Sequence, residues 1–139
     1  MPGKIETDAL ELCRRQEKRQ ALFYRGLAAR AEEAGDTGLA ERLHGLHADE
    51  QHHLSRLTAR VIELDDEPDD LSSILPPAVT LDGWEAEARQ RERDEVRLYQ
   101  SVLGELLEAA SAALLRECLE VDRRHEEHLG GKWTEASRG

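Results

Sequence analysis

Proline divides this chain into two long stretches in which nothing interrupts a helix. One proline is Pro2 and the other three lie within residues 68–77, so residues 4–67 and 78–139 contain none. Ala, Leu, Glu and Arg, which favour helices, dominate both stretches. β-branched residues are few, and no segment alternates apolar and polar residues with the period of a strand. The sequence therefore predicts an all-α protein.

Helix-capping residues divide each stretch into two helices. Asp36 or Thr37 can cap a second helix. Asp82 and Glu85 have the spacing of a capping box at the start of a third helix, and Ser111 can cap a fourth. The predicted helices are residues 6–34, 38–65, 82–110 and 112–129, in a single domain of residues 1–131 followed by a tail of residues 132–139.

The connections between the predicted helices define an architecture. Residues 66–80 form a segment that is too long for a hairpin between neighbouring bundle helices. Short turns join the other helices, and the fourth helix is predicted to end at Gly130–Gly131. The order of short turn, long connection and short turn predicts an antiparallel four-helix bundle with a long crossover between helices 2 and 3.

The charge of the chain disfavours two classes of partner. Asp and Glu number 30 against 19 Lys and Arg, which gives a formal net charge of -11. No basic stripe is left to neutralise nucleic-acid phosphates or to bind an anionic membrane. The N-terminus lacks an apolar signal core, no apolar run is long enough to span a bilayer, and Cys13 and Cys118 form no CxxC pair. We therefore expect a cytoplasmic protein.

The two halves of the chain align without a gap at an offset of 75 residues. Seven positions between residues 17 and 54 are then identical, among them Glu17 with Glu92 and Tyr24 with Tyr99. So few identities do not establish a duplication. They do place polar residues at matching positions on the helices.

Each helix carries two polar residues, three positions apart, within its apolar stripe. The side chain of a single glutamate at such a position usually lies along the edge of the core, and its carboxylate reaches water. Four interrupted stripes in register are harder to explain in that way, because burying unpaired carboxylates is costly. Carboxylates with imidazoles suit iron, manganese or zinc, so the pattern predicts a shared metal site. The pairs are Glu17 and Gln20, Glu50 and His53, Glu92 and Glu95, and His125 and His128.

The fourth helix allows two ligand pairs. The 75-residue offset places His125 opposite Glu50 and favours His125 with His128. The alternative pair is Asp122 with His125, which has the carboxylate-x-x-His spacing. Asp122 lies about 60° from the centre of the apolar stripe, so we keep it as the second choice or as a residue that supports the ligands.

Five further residues on the inner faces have supporting or packing roles in this interpretation. Tyr24 and Tyr99 either donate hydrogen bonds to ligand carboxylates across the bundle or are core residues with a polar end. Gln20 cannot supply negative charge and is expected to support the ligands. Cys13 and Cys118 are interpreted as small buried apolar residues.

Together these motifs resemble the rubrerythrin branch of the ferritin-like superfamily over residues 6–130. In that pattern a Glu is followed by a Tyr seven positions on, as in Glu17 with Tyr24, and helix 2 carries ExxH, as in Glu50 with His53. Helix 3 carries a Glu pair and a Tyr, here Glu92, Glu95 and Tyr99. Helix 4 departs from the pattern, because the family has a second Glu–His pair there.

The resemblance implies a ferritin-like bundle around two iron ions, with manganese or zinc as alternatives. It implies that Glu17 and Glu92 are ligands, that Glu50 bridges the ions, and that Glu95 moves with their redox state. His53 and His128 would be terminal nitrogen ligands.

The implied activity is that of a peroxidase- or ferroxidase-type oxidoreductase acting on hydrogen peroxide or dioxygen. An external donor protein would supply electrons, because the chain has no rubredoxin-like CxxC pairs. The alternatives are iron oxidation and storage, and a bundle whose mononuclear or structural zinc site has no redox role. Leucine stripes on the predicted helix surfaces, at Leu22, Leu107 and Leu119, suggest a homodimer.

Overall fold

A computed structural model describes residues 2–105 and 107–129, with side chains from residue 5 onward. Those residues form four helices and no strand, which confirms the all-α prediction. The predicted tail, Gly130–Gly131 and Leu106 lie outside the described residues. The helices are α1 (Pro2–Glu33), α2 (Thr37–Glu63), α3 (Trp84–Leu103) and α4 (Ala109–His128).

The structure contains the predicted N-cap of α2 but not that of α3. Asp36 caps α2, as predicted, and its carboxylate accepts a hydrogen bond from the Leu39 backbone N–H at 3.1 Å. The N-cap of α3 is Gly83, in the left-handed conformation with φ of 69°, and it makes no side-chain cap. A capping box between Asp82 and Glu85 is therefore not the cap of this helix.

Helix α4 begins earlier than predicted, because its N-terminus is capped from another helix. Ser111 lies inside α4, and Glu108 is the N-cap residue. The buried carboxylate of Glu6, on α1, accepts a hydrogen bond from the Glu108 backbone N–H at 2.7 Å and another from the Ser111 hydroxyl. Helix α3 ends at Leu103, before the predicted end near residue 110. The prediction of Ser111 as the N-cap is thus wrong.

Two apolar clusters are separated by the polar residues of the inner faces. The first cluster includes Cys13 of α1, Leu57 of α2, Tyr99 of α3 and Leu115 of α4. The second includes Leu27 of α1, Leu43 of α2, Trp84 and Ala88 of α3, and Leu129, which follows α4 directly. Along α1 and α4 the first cluster comes before the polar residues, whereas along α2 and α3 it comes after them.

The connection between α2 and α3 follows α1. The backbone N–H of Asp69 donates to Glu11 Oε2 at 2.8 Å, and Arg14 donates to the Asp69 carbonyl at 3.2 Å. Further along, a Cβ atom at Gly26 would lie only 3.0 Å from Val79 Cγ2. Glycine is therefore the residue that lets this segment approach α1 so closely.

The leucines that suggested a homodimer are not surface residues. Leu22 and Leu119 are 8% and 7% exposed, and Leu107 packs against the first apolar cluster. These side chains fill the chain's own interior, so they give no support to a dimer. Among the described residues, no helix is both long and apolar enough to cross a membrane.

Candidate metal centre

Five carboxylates and two histidines occupy the polar level between the apolar clusters. The carboxylate residues are all 0% exposed, and the two histidines are 3% and 7% exposed. Every helix contributes at least one of these side chains, and α2, α3 and α4 contribute two each. The residues are Glu17, Glu50, Glu92, Glu95, Asp122, His53 and His125.

These side chains form two groupings that could each hold a metal ion. In each grouping every residue offers one ligand atom, and these atoms lie within 4.8 Å of one another. Glu50 and Asp122 belong to both groupings. The first adds Glu17, His53 and Glu95, and the second adds Glu92 and His125. Two carboxylates are thus placed where they can serve two neighbouring ions.

Many carboxylate oxygens at this level lack hydrogen-bond partners in the described part of the chain and are available to bind a cation. Among the described residues, both carboxylate oxygens of Glu50, Glu95 and Asp122 are buried without a hydrogen-bond partner, as is one oxygen each of Glu17 and Glu92. Buried polar atoms normally have partners, and a bound cation would supply them here. Oxygen and imidazole ligands in this proportion suit iron, manganese or zinc.

The two histidines present the same ring nitrogen to the carboxylates. His53 Nδ1 lies 3.4 Å from Glu17 Oε1, and His125 Nδ1 lies 3.2 Å from Glu92 Oε1. On the other side of its ring, His125 Nε2 lies 2.7 Å from Asp49 Oδ2. Asp49 therefore fixes the orientation of this imidazole, as a carboxylate commonly does for a metal-binding histidine. Sequence reasoning missed Asp49, because its counterpart at the 75-residue offset, Arg124, is not acidic.

The pKa values show what the buried carboxylates do without a metal. Burial, followed by repulsion from Glu17, raises the pKa of Glu50 to about 8. Burial, followed by the charge of Glu50, raises the pKa of Glu92 to about 7. The pKa values of Glu17, Glu95 and Asp122 are also raised, mainly by burial. Metal ions must displace protons from these groups when they bind.

His125 is the cation of this level in the metal-free protein. Its burial lowers the pKa, but the neighbouring carboxylates of Asp49, Glu50 and Glu92 outweigh that effect and raise the pKa to about 12. For His53, burial is the largest cause and lowers the pKa. The two histidines therefore start from opposite protonation states, and His125 offsets part of the carboxylate charge.

The tyrosines cross the bundle in opposite directions to reach ligand candidates. Tyr24 on α1 donates to Glu92 Oε1 at 2.7 Å, and Tyr99 on α3 donates to Glu17 Oε1 at 2.5 Å. Burial raises the pKa of both hydroxyls well above the ordinary value, so both remain donors. Of the two interpretations from sequence, the structure supports hydrogen bonding to the carboxylates.

Replacing Tyr24 or Tyr99 with phenylalanine is expected to weaken metal binding by about 10-fold or more, because each hydroxyl fixes a carboxylate in place. Competition with a chromophoric chelator, using Zn²⁺ as a redox-inert probe, measures this change. Phe23→Leu, a change of a fully buried residue of the second apolar cluster on the same helix, controls for general repacking. Unchanged affinity in both phenylalanine variants would show that the hydroxyls do not support the site.

Gln20, Cys13 and Cys118 are buried but belong to neither grouping. Neither side-chain amide atom of Gln20 has a hydrogen-bond partner among the described residues. Both cysteines are free and lie in the first apolar cluster, as predicted for small buried residues. Burial raises the pKa of the Cys13 thiol to about 12 and also raises that of Cys118, so neither offers a thiolate.

The inward placement of His128 predicted from the repeat is wrong. His128 is exposed and outside both groupings, and it lines a surface cavity with Asp49. The buried pair on α4 is Asp122 and His125, the second choice from sequence.

The gapless alignment failed because the second half is shorter. Glu50 follows Glu17 by 33 residues, but Asp122 follows Glu92 by 30. The difference of about one helical turn keeps many apolar positions in phase and so conceals the shift. An offset of 72 for helix 4 pairs Glu50 with Asp122 and His53 with His125, all buried. That offset was the signal in the sequence that could have identified Asp122.

The fold and this level together define a class: a four-helix protein with a buried carboxylate and histidine cluster that can hold metal. Comparisons of the chain with protein-family models, curated proteins and solved structures gave no match.

Proposed function

We propose that this chain is a rubrerythrin-like member of the ferritin-like superfamily. Its function would be that of a di-iron carboxylate oxidoreductase that reduces hydrogen peroxide or dioxygen. The observation that carries the proposal is that Glu50 and Asp122 belong to both ligand groupings. Shared carboxylates are what a two-metal site of this class requires.

The proposal includes an antiparallel bundle with a long crossover between α2 and α3. Its support is the order of the apolar clusters along the helices, which is reversed between α1 and α2 and again between α3 and α4. The order is the same in α2 and α3, and parallel neighbours need a long connection. Contacts of Asp69 and Val79 with α1 are consistent with a crossover along that helix.

The proposed ligand set divides between two ions. Glu17, His53 and Glu95 would serve one ion, and Glu92 with His125 would serve the other. Glu50 and Asp122 would bridge them, because carboxylates bridge metals readily and a neutral imidazole does not. With Asp122 as a bridge, no histidine has to bridge the two ions.

Bound iron would supply two electrons, which with two protons convert one hydrogen peroxide to two water molecules. The chain's own residues would orient the side chains that bind the iron. Tyr24 and Tyr99 orient the carboxylates of Glu92 and Glu17, and Asp49 orients the ring of His125. Glu95 belongs to one grouping only and would be the carboxylate that moves with the redox state of the ions.

Re-reduction would require a separate donor protein, because the sequence contains no CxxC pair. The donor, the homodimer and the cytoplasmic location stay predictions. Manganese and zinc are alternative occupants of the same ligand set.

Anaerobic loading with two equivalents of Fe(II), followed by hydrogen peroxide, is expected to give rapid oxidation of two iron ions per peroxide. Stopped-flow absorbance measures the rate and the stoichiometry. Glu50→Ala should bind less iron and lose the fast phase, whereas Glu63→Ala, an exposed change on the same helix, should not.

Three outcomes would contradict the proposal. Iron that binds tightly but reacts no faster than free Fe(II) would favour a non-catalytic metal-binding bundle. Accumulation of many iron ions per chain would favour storage. A single Zn²⁺ that cannot be exchanged for iron would favour a structural site.

A further inference from the structure

A second cavity opens on the surface between α2 and α4, on the His53 side of the metal centre. It has a volume of about 490 Å³, and the buried ring of His53 forms part of its wall. The charged residues around it are Arg56 on α2 and Arg116, Glu117, Glu120 and Arg124 on α4. This arginine-lined cavity is separate from the one at His125, which is lined by Glu41 and Asp49.

The carboxylates of the arginine-lined cavity are already neutralised. Glu117 pairs with Arg56, and Glu120 pairs with Arg123 at 3.2 Å. These contacts leave the cavity without an unpaired negative charge of its own.

Two of its guanidinium groups remain unpaired. Arg116 and Arg124 make no hydrogen bond or ion pair with any residue in the described ranges 5–105 and 107–129. Arg124 does lie near Asp49, whose pKa is lowered by its hydrogen bond to His125 and, to a smaller extent, by the charge of Arg124. Two unpaired cations at one cavity are a marked local excess in a chain with a formal net charge of -11. The two groups come from one face of α4, at the spacing of about two helical turns.

We propose that this cavity binds a small oxyanion, a ligand that carries one phosphate or carboxylate group. Guanidinium groups bind such anions through paired, charge-assisted hydrogen bonds, which are stronger than neutral ones. A cavity of this volume accommodates a small ligand with its remaining waters. The site lies against His53 and does not require a metal ion, so it stands independently of the proposed redox function.

Inorganic phosphate and acetate, titrated separately into the metal-free full chain at constant ionic strength, test the proposal. Isothermal titration calorimetry should show saturable binding at one site per chain. Arg116→Gln and Arg124→Gln should each weaken it by about 10-fold or more, as expected when a hydrogen bond to a charged group is lost. Both arginines are exposed, so circular dichroism melting should be unchanged.

Arg89→Gln is the matched control. Arg89 is also exposed and without an ion pair in the described part of the chain, but it lies on α3 and away from the cavity. It should leave the affinity within about twofold of the original. Amide shifts in two-dimensional NMR should move within residues 52–56 and 116–124.

The two probes also show which chemical group the cavity binds. Binding of phosphate alone assigns the cavity to phosphoryl groups, and binding of acetate alone assigns it to carboxylates. No saturation by either anion below about 10 mM, or equal weakening in Arg89→Gln, would overturn the proposal.

Discussion

Asp122→Ala is expected to lower the affinity for both metal ions by about 100-fold or more, whereas His128→Ala leaves binding within about twofold of the original. Loss of a residue that merely supports a ligand costs about 10- to 100-fold, and loss of a shared ligand should cost more. Asp122 belongs to both groupings, but His128 is exposed and belongs to neither. Equilibrium dialysis with elemental analysis measures the metal bound per chain.

This pair of variants separates two ligand assignments on the same helix. Asp122→Asn keeps the shape of the side chain but removes its charge, so it distinguishes lost coordination from a packing defect. Glu127→Ala, an exposed change on α4, controls for overall negative charge. Strong loss in His128→Ala with little loss in Asp122→Ala would restore the assignment favoured by the 75-residue offset.

The metal-free protein is expected to lose stability as the pH rises from about 4.5 to about 8. Burial raises the folded-state pKa of Glu50 from 4.5 to about 8, and it raises those of Glu17 and Asp122 as well. An acid whose pKa is raised on folding binds more protons in the folded state, so ionising it favours unfolding across that interval. His125 contributes in the same direction above pH 6.5, because its stabilisation is fully present below that pH and is lost progressively as the pH rises towards its raised pKa of about 12.

Metal saturation is expected to reverse this trend. At pH 8, Zn²⁺ at about 100 times its dissociation constant should stabilise the fold by about 2.7 kcal/mol, which corresponds to a rise in Tm of about 10 °C. The stabilisation should shrink towards pH 5, where protons compete for the carboxylates.

Thermal unfolding followed by circular dichroism, with chelator or with Zn²⁺ at each pH, measures both curves. Glu50→Gln removes one raised carboxyl and should flatten the metal-free curve. Glu63→Gln, exposed on α2, should leave it unchanged. A metal-free protein that becomes more stable between pH 5 and 8 would contradict the assignment of these carboxylates to a site that needs cations.

Helical periodicity was sufficient to predict much of the site. Glu17, Glu50 and Glu92 interrupt apolar stripes, and the structure buries all three. Such positions follow from the geometry of a single helix, which the sequence specifies locally. The four helices and the Asp36 cap were predictable for the same reason.

The length of the connection between α3 and α4 was not predictable from helical periodicity. Helix formers continue through the region where α3 ends and α4 begins, and Gly104 is the one conspicuous breaker there. Because the end of α3 and the start of α4 were not recognised, the inward face of α4 was assigned from the 75-residue repeat. That assignment misplaced His128. The contacts of Asp49 with His125 and of Glu6 with α4 join different helices, so no local pattern reports them.

The capping of α4 by Glu6 has a consequence for how the protein is made. The hydrogen bond from Ser111 to Glu6 joins residues 105 positions apart. Glu6 of α1 is therefore synthesised long before the residue that donates to it. Asp122 and His125 emerge from the ribosome later still. The nascent chain therefore exposes Glu17 and Glu50 before the other half of the site exists, and the complete centre can assemble only after translation has passed α4.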